Sequence, residues 1–102
     1  MKELKGSQKK YLRGIAHDLK PSAFVGHKGI TESLINEIDE ALGANELIKV
    51  KFIDFKEKNI KRDFAMEIAE QTQSSIAGII GHVVIYYKEN KEPEKRRIKL
   101  PA

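Results

Sequence analysis

Ala23-Phe24-Val25-Gly26-His27-Lys28-Gly29-Ile30-Thr31 reads as a short apolar strand, a glycine-bounded tetrapeptide and a helix start in direct succession. Neither glycine carries a Cβ, so the backbone can turn tightly there and a second backbone can come close. Thr31 is placed to cap the following helix, whose first amide N–H groups have no intrahelical partner. Such a helix start favours an anion, and Lys28 adds a full positive charge beside it. Gly-x-x-Gly loops with a basic residue between the glycines clamp nucleic-acid backbones in one class of RNA-binding module. They also occur in ordinary strand-to-helix turns, which is the commoner case for the loop taken alone.

The rest of the chain bears on that choice first through its charge. Residues 1–29 hold seven Lys/Arg against Glu3 and Asp18, a net of +5. Residues 30–87 hold six basic against ten acidic groups, a net of −4, and residues 88–102 hold six against three, a net of +3. The basic charge therefore sits at the two ends of the sequence around an acidic middle, which argues for a directed anionic partner. The 102 residues suffice for one domain with its own core, spanning 1–102 with 88–102 as a basic C-terminal tail. With no cysteine there are no disulfides, thiolate metal sites or cysteine nucleophiles, and the chain suits a reducing compartment. Met1-Lys2-Glu3-Leu4-Lys5 lacks an apolar stretch behind its lysines, and the longest apolar run, Val83 to Tyr87, is too short to span a bilayer. A cytoplasmic protein is expected, with no membrane contact.

Upstream of the loop, Ser7 is a helix-capping residue and Gln8 to about Leu19 has helical periodicity. At about 100° per residue, Tyr11, Leu12, Ile15, Ala16 and Leu19 share one arc, the expected buried face. Lys9, Lys10, Arg13, His17 and Lys20 share the opposite arc. A solvated exterior would account for such a face, but it would normally mix signs, and no carboxylate falls in this one. Pro21 ends the helix. Downstream, Glu32 to Leu42 forms a second helix with Leu34, Ile35, Ile38, Ala41 and Leu42 inward and an acidic outer face, closed by Gly43. Glu46 to Ile53 alternates as a strand, Ile48, Val50 and Phe52 packing while Lys49 and Lys51 face the other way. Asp54 to Asn59 is a polar turn, followed by a third helix to about Gln71 that buries Ile60, Phe64 and Ile68 with Ala65 and Ala69 beside them. Ile76–Ile80 and Val83–Tyr87 are two strands joined at Gly81-His82. Tyr86 and Tyr87 must point to opposite faces, one expected in the core and one at the surface. Lys95-Arg96-Arg97 with Ile98-Lys99-Leu100 is compatible with a mobile basic arm or a final edge strand.

The order α-β-α-β-α-β-β, together with particular residues, resembles the bacterial YhbY family, the stand-alone form of the CRM domain (chloroplast RNA splicing and ribosome maturation). The matching residues are Tyr11-Leu12-Arg13-Gly14-Ile15-Ala16-His17 with Leu19-Lys20-Pro21, Gly26-His27-Lys28-Gly29-Ile30-Thr31, Glu46-Leu47-Ile48-Lys49-Val50-Lys51, Ile79-Ile80-Gly81 and Ile98-Lys99-Leu100-Pro101. They span almost the whole chain in the family's order. Ile30 stands where leucine is common, and Ser74-Ser75 where a glycine often closes the third helix. The resemblance implies an α/β domain of the α+β type with a four-stranded mixed sheet, similar to the C-terminal domain of translation initiation factor three. It also implies RNA as partner, with ribosomal RNA of large-subunit precursors as the target. Gly26, His27, Lys28 and Gly29 are then the backbone clamp.

Joined to the residue-level reading, this makes an RNA-binding surface of that loop with Lys9, Lys10, Arg13, His17 and Lys20, and a second, less ordered contact at Lys95, Arg96 and Arg97. No cofactor, metal, small-molecule substrate or catalytic residue is expected, and a monomer is. An enzyme would need His17, His27, His82 and the carboxylates to converge, yet their spacing matches no metal motif. A protein-interaction module without RNA contact would instead show an exposed apolar patch.

Overall fold

In a computed structural model of the chain, the structure describes residues 3–53 and 58–102. The elements are α1 (Gly6–Ala16), β1 (Pro21–Val25), α2 (Glu32–Asn45), β2 (Leu47–Phe52), α3 (Lys58–Thr72), β3 (Ser75–Ile80) and β4 (Val83–Tyr87), with a 3-10 turn at Pro93–Lys95. Most of the expected polar turn, Asp54–Glu57, lies outside the described residues, and its last two residues, Lys58 and Asn59, belong to α3. The strands form one four-stranded mixed sheet, as expected, and their order in it is β1-β2-β4-β3. β1 runs parallel to β2, and β4 runs antiparallel to both β2 and β3. The last residues of β1, β2 and β3 therefore share one end of the sheet.

Strand alternation divides the core in two. Ala23, Val25, Ile48, Val50, Phe52, Val84 and Tyr86 face α2 and α3, which contribute Leu34, Ile38, Leu42, Ala65, Ile68 and Ala69. The Tyr86 hydroxyl donates to the Ala65 carbonyl at 2.8 Å, so even the polar end of this ring is satisfied in the core. On the other face Leu47, Ala77, Ile85 and Tyr87 meet Leu12 and Ala16 of α1, together with Leu4, Ile98 and Leu100.

The second face accounts for most departures from expectation. α1 starts two residues earlier than its periodicity implies and ends three residues earlier, at Ala16, and its cap is Lys5, whose N–H donates to the Gln8 side chain at 2.9 Å, in place of Ser7. Its buried stripe is Gln8, Leu12 and Ala16, while Tyr11, Ile15 and Leu19 remain 37–44% exposed. The reason is that a helix lying alone on a sheet buries only a narrow stripe, and here the C-terminal tail takes the space beside it. The chain leaves α1 at His17, and the Lys49 ammonium donates to the carbonyls of His17 (3.1 Å) and Leu19 (3.0 Å) in place of further helix.

Tyr86 and Tyr87 are both buried, where one was expected at the surface, because the tail covers the sheet face that Tyr87 occupies. In α3, Ile60 is exposed and Phe64 half-buried, so its buried stripe is Ala65, Ile68 and Ala69. No glycine closes that helix; Gln73 takes the left-handed conformation (φ 54) instead.

α2 runs past Gly43 to Asn45, and Glu46, outside β2, takes the left-handed position at φ 64. Its buried carboxylate accepts from the backbone N–H groups of Asn90 (2.7 Å), Arg97 (2.6 Å) and Ile98 (3.1 Å). This triple acceptor fastens the tail, which is neither a mobile arm nor an edge strand.

Candidate nucleic-acid interface

β1 ends at Val25, and the Ile53 N–H donates to the Val25 carbonyl at 2.8 Å, holding the strand end against β2. The loop then turns through Gly26-His27-Lys28-Gly29, closed by the Gly29 N–H donating to the Gly26 carbonyl at 2.9 Å. Thr31 caps α2 as expected, its hydroxyl accepting from the Leu34 N–H at 3.1 Å. His27 and Lys28 project into solvent above this capped helix start.

The two glycines have different reasons for being glycine. Gly29 has φ +71, and a Cβ there would lie 3.4 Å from the Phe64 ring of α3. Both the conformation and the contact belong to the fold. At Gly26 φ is not in the left-handed range, and an added Cβ would meet nothing within 4 Å. The fold places no demand on that position.

α1 crosses the sheet with two unlike shoulders. Tyr11, Gly14 and Ile15 face the tail and share a recess with Lys10 and Pro101. Arg13 leans the other way, its stem over Gly78 of β3 and its guanidinium donating to the Ala77 carbonyl at 3.2 Å. Arg13 is thus half-buried and partly structural, where the helical wheel put it on the solvent side. His17 and Lys20 are exposed where the chain drops from α1 into β1, and Lys9 lies near Glu3 and Glu70 at the β3 edge.

Cross-strand register explains how α1 and the loop are related in space. One row of the α1-side face, Lys49–Ile85–Gly78, lies under α1. The next row, Phe24–Lys51–Val83–Ile80, reaches the sheet end that carries the loop, with Phe24 53% and Ile80 60% exposed. Arg13, His17 and Lys20 thus border an uncovered strip of sheet whose other border is the Gly26–Gly29 loop. Phe24, Lys51 and Ile80 were not among the sequence-derived site residues. Their alternation was readable, but which rows α1 leaves bare depends on where that helix docks.

Lys95, Arg96 and Arg97 are not brought to this surface. They lie by Glu46 at the start of β2, whereas the loop lies at its end, about 17 Å of strand away. Among the described residues the ion pairs are Asp39–Lys88, Glu92–Lys95 and Glu89–Arg96, each using a residue of the segment after β4. None of Lys10, Lys20, Lys28 and Lys51 is in one. Lys20, Lys28 and Lys51, exposed and without an ion pair among the described residues, lie around the strip and make a field that attracts polyanions, while Lys10 sits by the tail-facing recess. Among the described residues no group of three or more His, Asp or Glu is placed to hold a metal ion, and no helix is long and apolar enough to cross a membrane.

The family model of the CRS1/YhbY (CRM) domain matches residues 4–88. The chain is 40% identical over 98 residues to the Bacillus subtilis protein named "Probable RNA-binding protein YqeI", covering 96% of this chain and 99% of that one. It is 35% identical over 101 residues to a Haemophilus influenzae protein named "RNA-binding protein", covering 99% and 98%. The solution structure of the hypothetical protein SAV1595 from Staphylococcus aureus superposes with a TM-score of 0.81 at 36% identity, over 97% of this chain and all of that one. The two curated relatives are named for RNA binding, not for a catalysed reaction.

Proposed function

The chain belongs to the CRS1/YhbY (CRM) domain family, and from that membership we propose that it is a monomeric, cytoplasmic RNA-binding protein. Its target in this reading is structured ribosomal RNA of large-subunit precursors, whose assembly it assists. The relatives' names support RNA as the partner. The observation that carries the site is Gly26, a glycine without a reason in the fold, beside the exposed ammonium of Lys28 and the N-terminus of α2. A backbone that approaches closely is what such a glycine admits.

Phosphates are received by the loop amides and the first turn of α2, with Lys28 supplying charge. His27 lies on the same loop. Lys9, Lys10, Arg13, His17 and Lys20 extend the footprint along α1, and Lys95, Arg96 and Arg97 form a separate patch at the other end of β2. The acidic outer face of α2 turns RNA toward the helix start and away from its flank. Contacts to phosphate position RNA without reading its bases, so discrimination rests on RNA shape.

The test is titration of a large-subunit ribosomal RNA fragment across a salt series with wild type, Lys28→Glu and Lys20→Glu. The expected result is steep salt dependence, with each variant binding more weakly and its log–log slope shallower by about one phosphate contact. Salt-insensitive binding, or variants equal to wild type, would overturn the reading in favour of a protein-only module. Co-sedimentation with large-subunit precursor particles tests the assembly role, and absence from those fractions overturns it.

A further inference from the structure

We propose that the uncovered sheet row beside the loop is a stacking platform for an unpaired nucleotide, with Phe24 as the ring on which the base lies. This rests on the RNA-binding reading and names the form of RNA that the site takes.

Phe24 lies on edge strand β1, two residues before Gly26, and is more than half exposed although Ala23 and Val25 on either side are fully buried. Strand alternation turns it out of the core that Ala23 and Val25 form with α2 and α3, and α1 stops short of its row. An exposed phenylalanine contributes nothing to the core, and Ile80 at the far end of the same row is exposed as well. Such an apolar strip suits a protein partner in many folds, but here its surround is cationic. Lys51 is the cross-strand neighbour of Phe24, and Lys20 and Lys28 flank it along the chain. An apolar protein surface docking here would leave these charges unsolvated, at considerable cost. A nucleotide matches both halves, since its base has an apolar π-face and its phosphate is an anion.

Phe24 also lines a cavity of about 300 Å³ with Gly26, Lys28, Thr31 and Glu37. Base and phosphate thus have adjacent places, the phosphate toward the loop and the start of α2. Glu37 lines the same cavity, and its carboxylate would repel phosphate and favour the base side of a nucleotide. Stacking on Phe24 requires a base face that is not already stacked in a helix, which selects single strands, bulges and loops over duplex.

The experiment is an anisotropy titration of a fluorescein-labelled single-stranded oligoribonucleotide, and of the same strand in a duplex, with wild type and the variants Phe24→Ala, Phe24→Leu, Phe24→Trp and Lys28→Glu. Because Phe24 is exposed, these variants should fold, which thermal melts check. The expected result is a loss of roughly 5- to 100-fold in single-strand affinity for Phe24→Ala. Phe24→Leu, apolar but without a π-face, shows a similar loss. The salt slope and duplex binding remain as in wild type, and Phe24→Trp retains affinity. The chain has no tryptophan, so that variant places a lone indole at the site, and its emission is quenched on binding the single strand.

Wild-type affinity in Phe24→Leu, or equal losses on single strand and duplex, overturns the platform. If RNA binds and Lys28→Glu weakens it while Phe24→Ala does not, only the platform falls. If wild type binds neither RNA form, the RNA-binding reading falls with it.

Discussion

Substituting the two loop glycines separately distinguishes a glycine kept for the fold from one kept for a ligand. In Gly29→Ala the new residue must adopt φ near +71, which costs an L-residue about 1–2 kcal/mol. Its Cβ would touch the Phe64 ring at 3.4 Å, a contact without overlap, so the conformational cost dominates. Reduced entropy of the unfolded chain returns about 0.4–1 kcal/mol. The net is a destabilisation of about 1 kcal/mol, or a melting temperature lower by about 4–8 °C. In Gly26→Ala the backbone is unstrained and the methyl group meets nothing within 4 Å. The entropy gain stands alone, and the variant melts at or slightly above wild type.

RNA titration should then run opposite to stability. Gly26→Ala, the more stable protein, binds roughly tenfold more weakly or worse, because its methyl group holds off the approaching backbone and charge-assisted hydrogen bonds to phosphate are lost. Thermal melts by circular dichroism and a filter-binding titration measure both quantities. Two results would refute the reasoning: Gly26→Ala destabilised as much as Gly29→Ala, or Gly26→Ala as stable as wild type and binding equally well.

Glu46→Ala removes the acceptor of three tail N–H groups and should destabilise the fold by about 2–4 kcal/mol; limited proteolysis should cut within residues 91–102, and an uncut tail would show that Ile98 and Leu100 suffice to hold it. Tyr87 has a buried hydroxyl with no hydrogen-bond partner among the described residues, so Tyr87→Phe should be neutral or stabilising by up to about 1 kcal/mol in urea denaturation. Burial, with the Glu46 and Glu89 carboxylates adding to it and Arg96 opposing, pushes the Tyr87 phenol up from 10.0 to about 12. The unfolded chain therefore releases this proton first. The contribution is complete below pH 10 and is lost as pH rises toward 12, and Tyr87→Phe should lose less stability across that window.

The elements, their order and the inner faces of α2 and β2 were legible in the sequence because periodicity and caps act between neighbours in the chain. Thr31 caps α2, and Ile48, Val50 and Phe52 face one core, as alternation implies. The Gly26–Gly29 loop was legible for the same reason, since glycine spacing, basic residue and helix start are all local. What lies on the second face of the sheet was decided by packing between distant segments. Leu12 and Ala16 are buried while Tyr11 and Ile15 are not, because α1 presents one narrow stripe to a sheet that it shares with the tail. The tail itself is held by Glu46, some fifty residues away in sequence, and no periodicity in residues 88–102 reports a carboxylate that waits elsewhere. The same long-range docking leaves Phe24 and Lys51 bare next to the loop and sets Lys95–Arg97 at the opposite end. A side chain's residue type fixes its charge and apolar area locally, but its exposure depends on which other segment comes to lie over it.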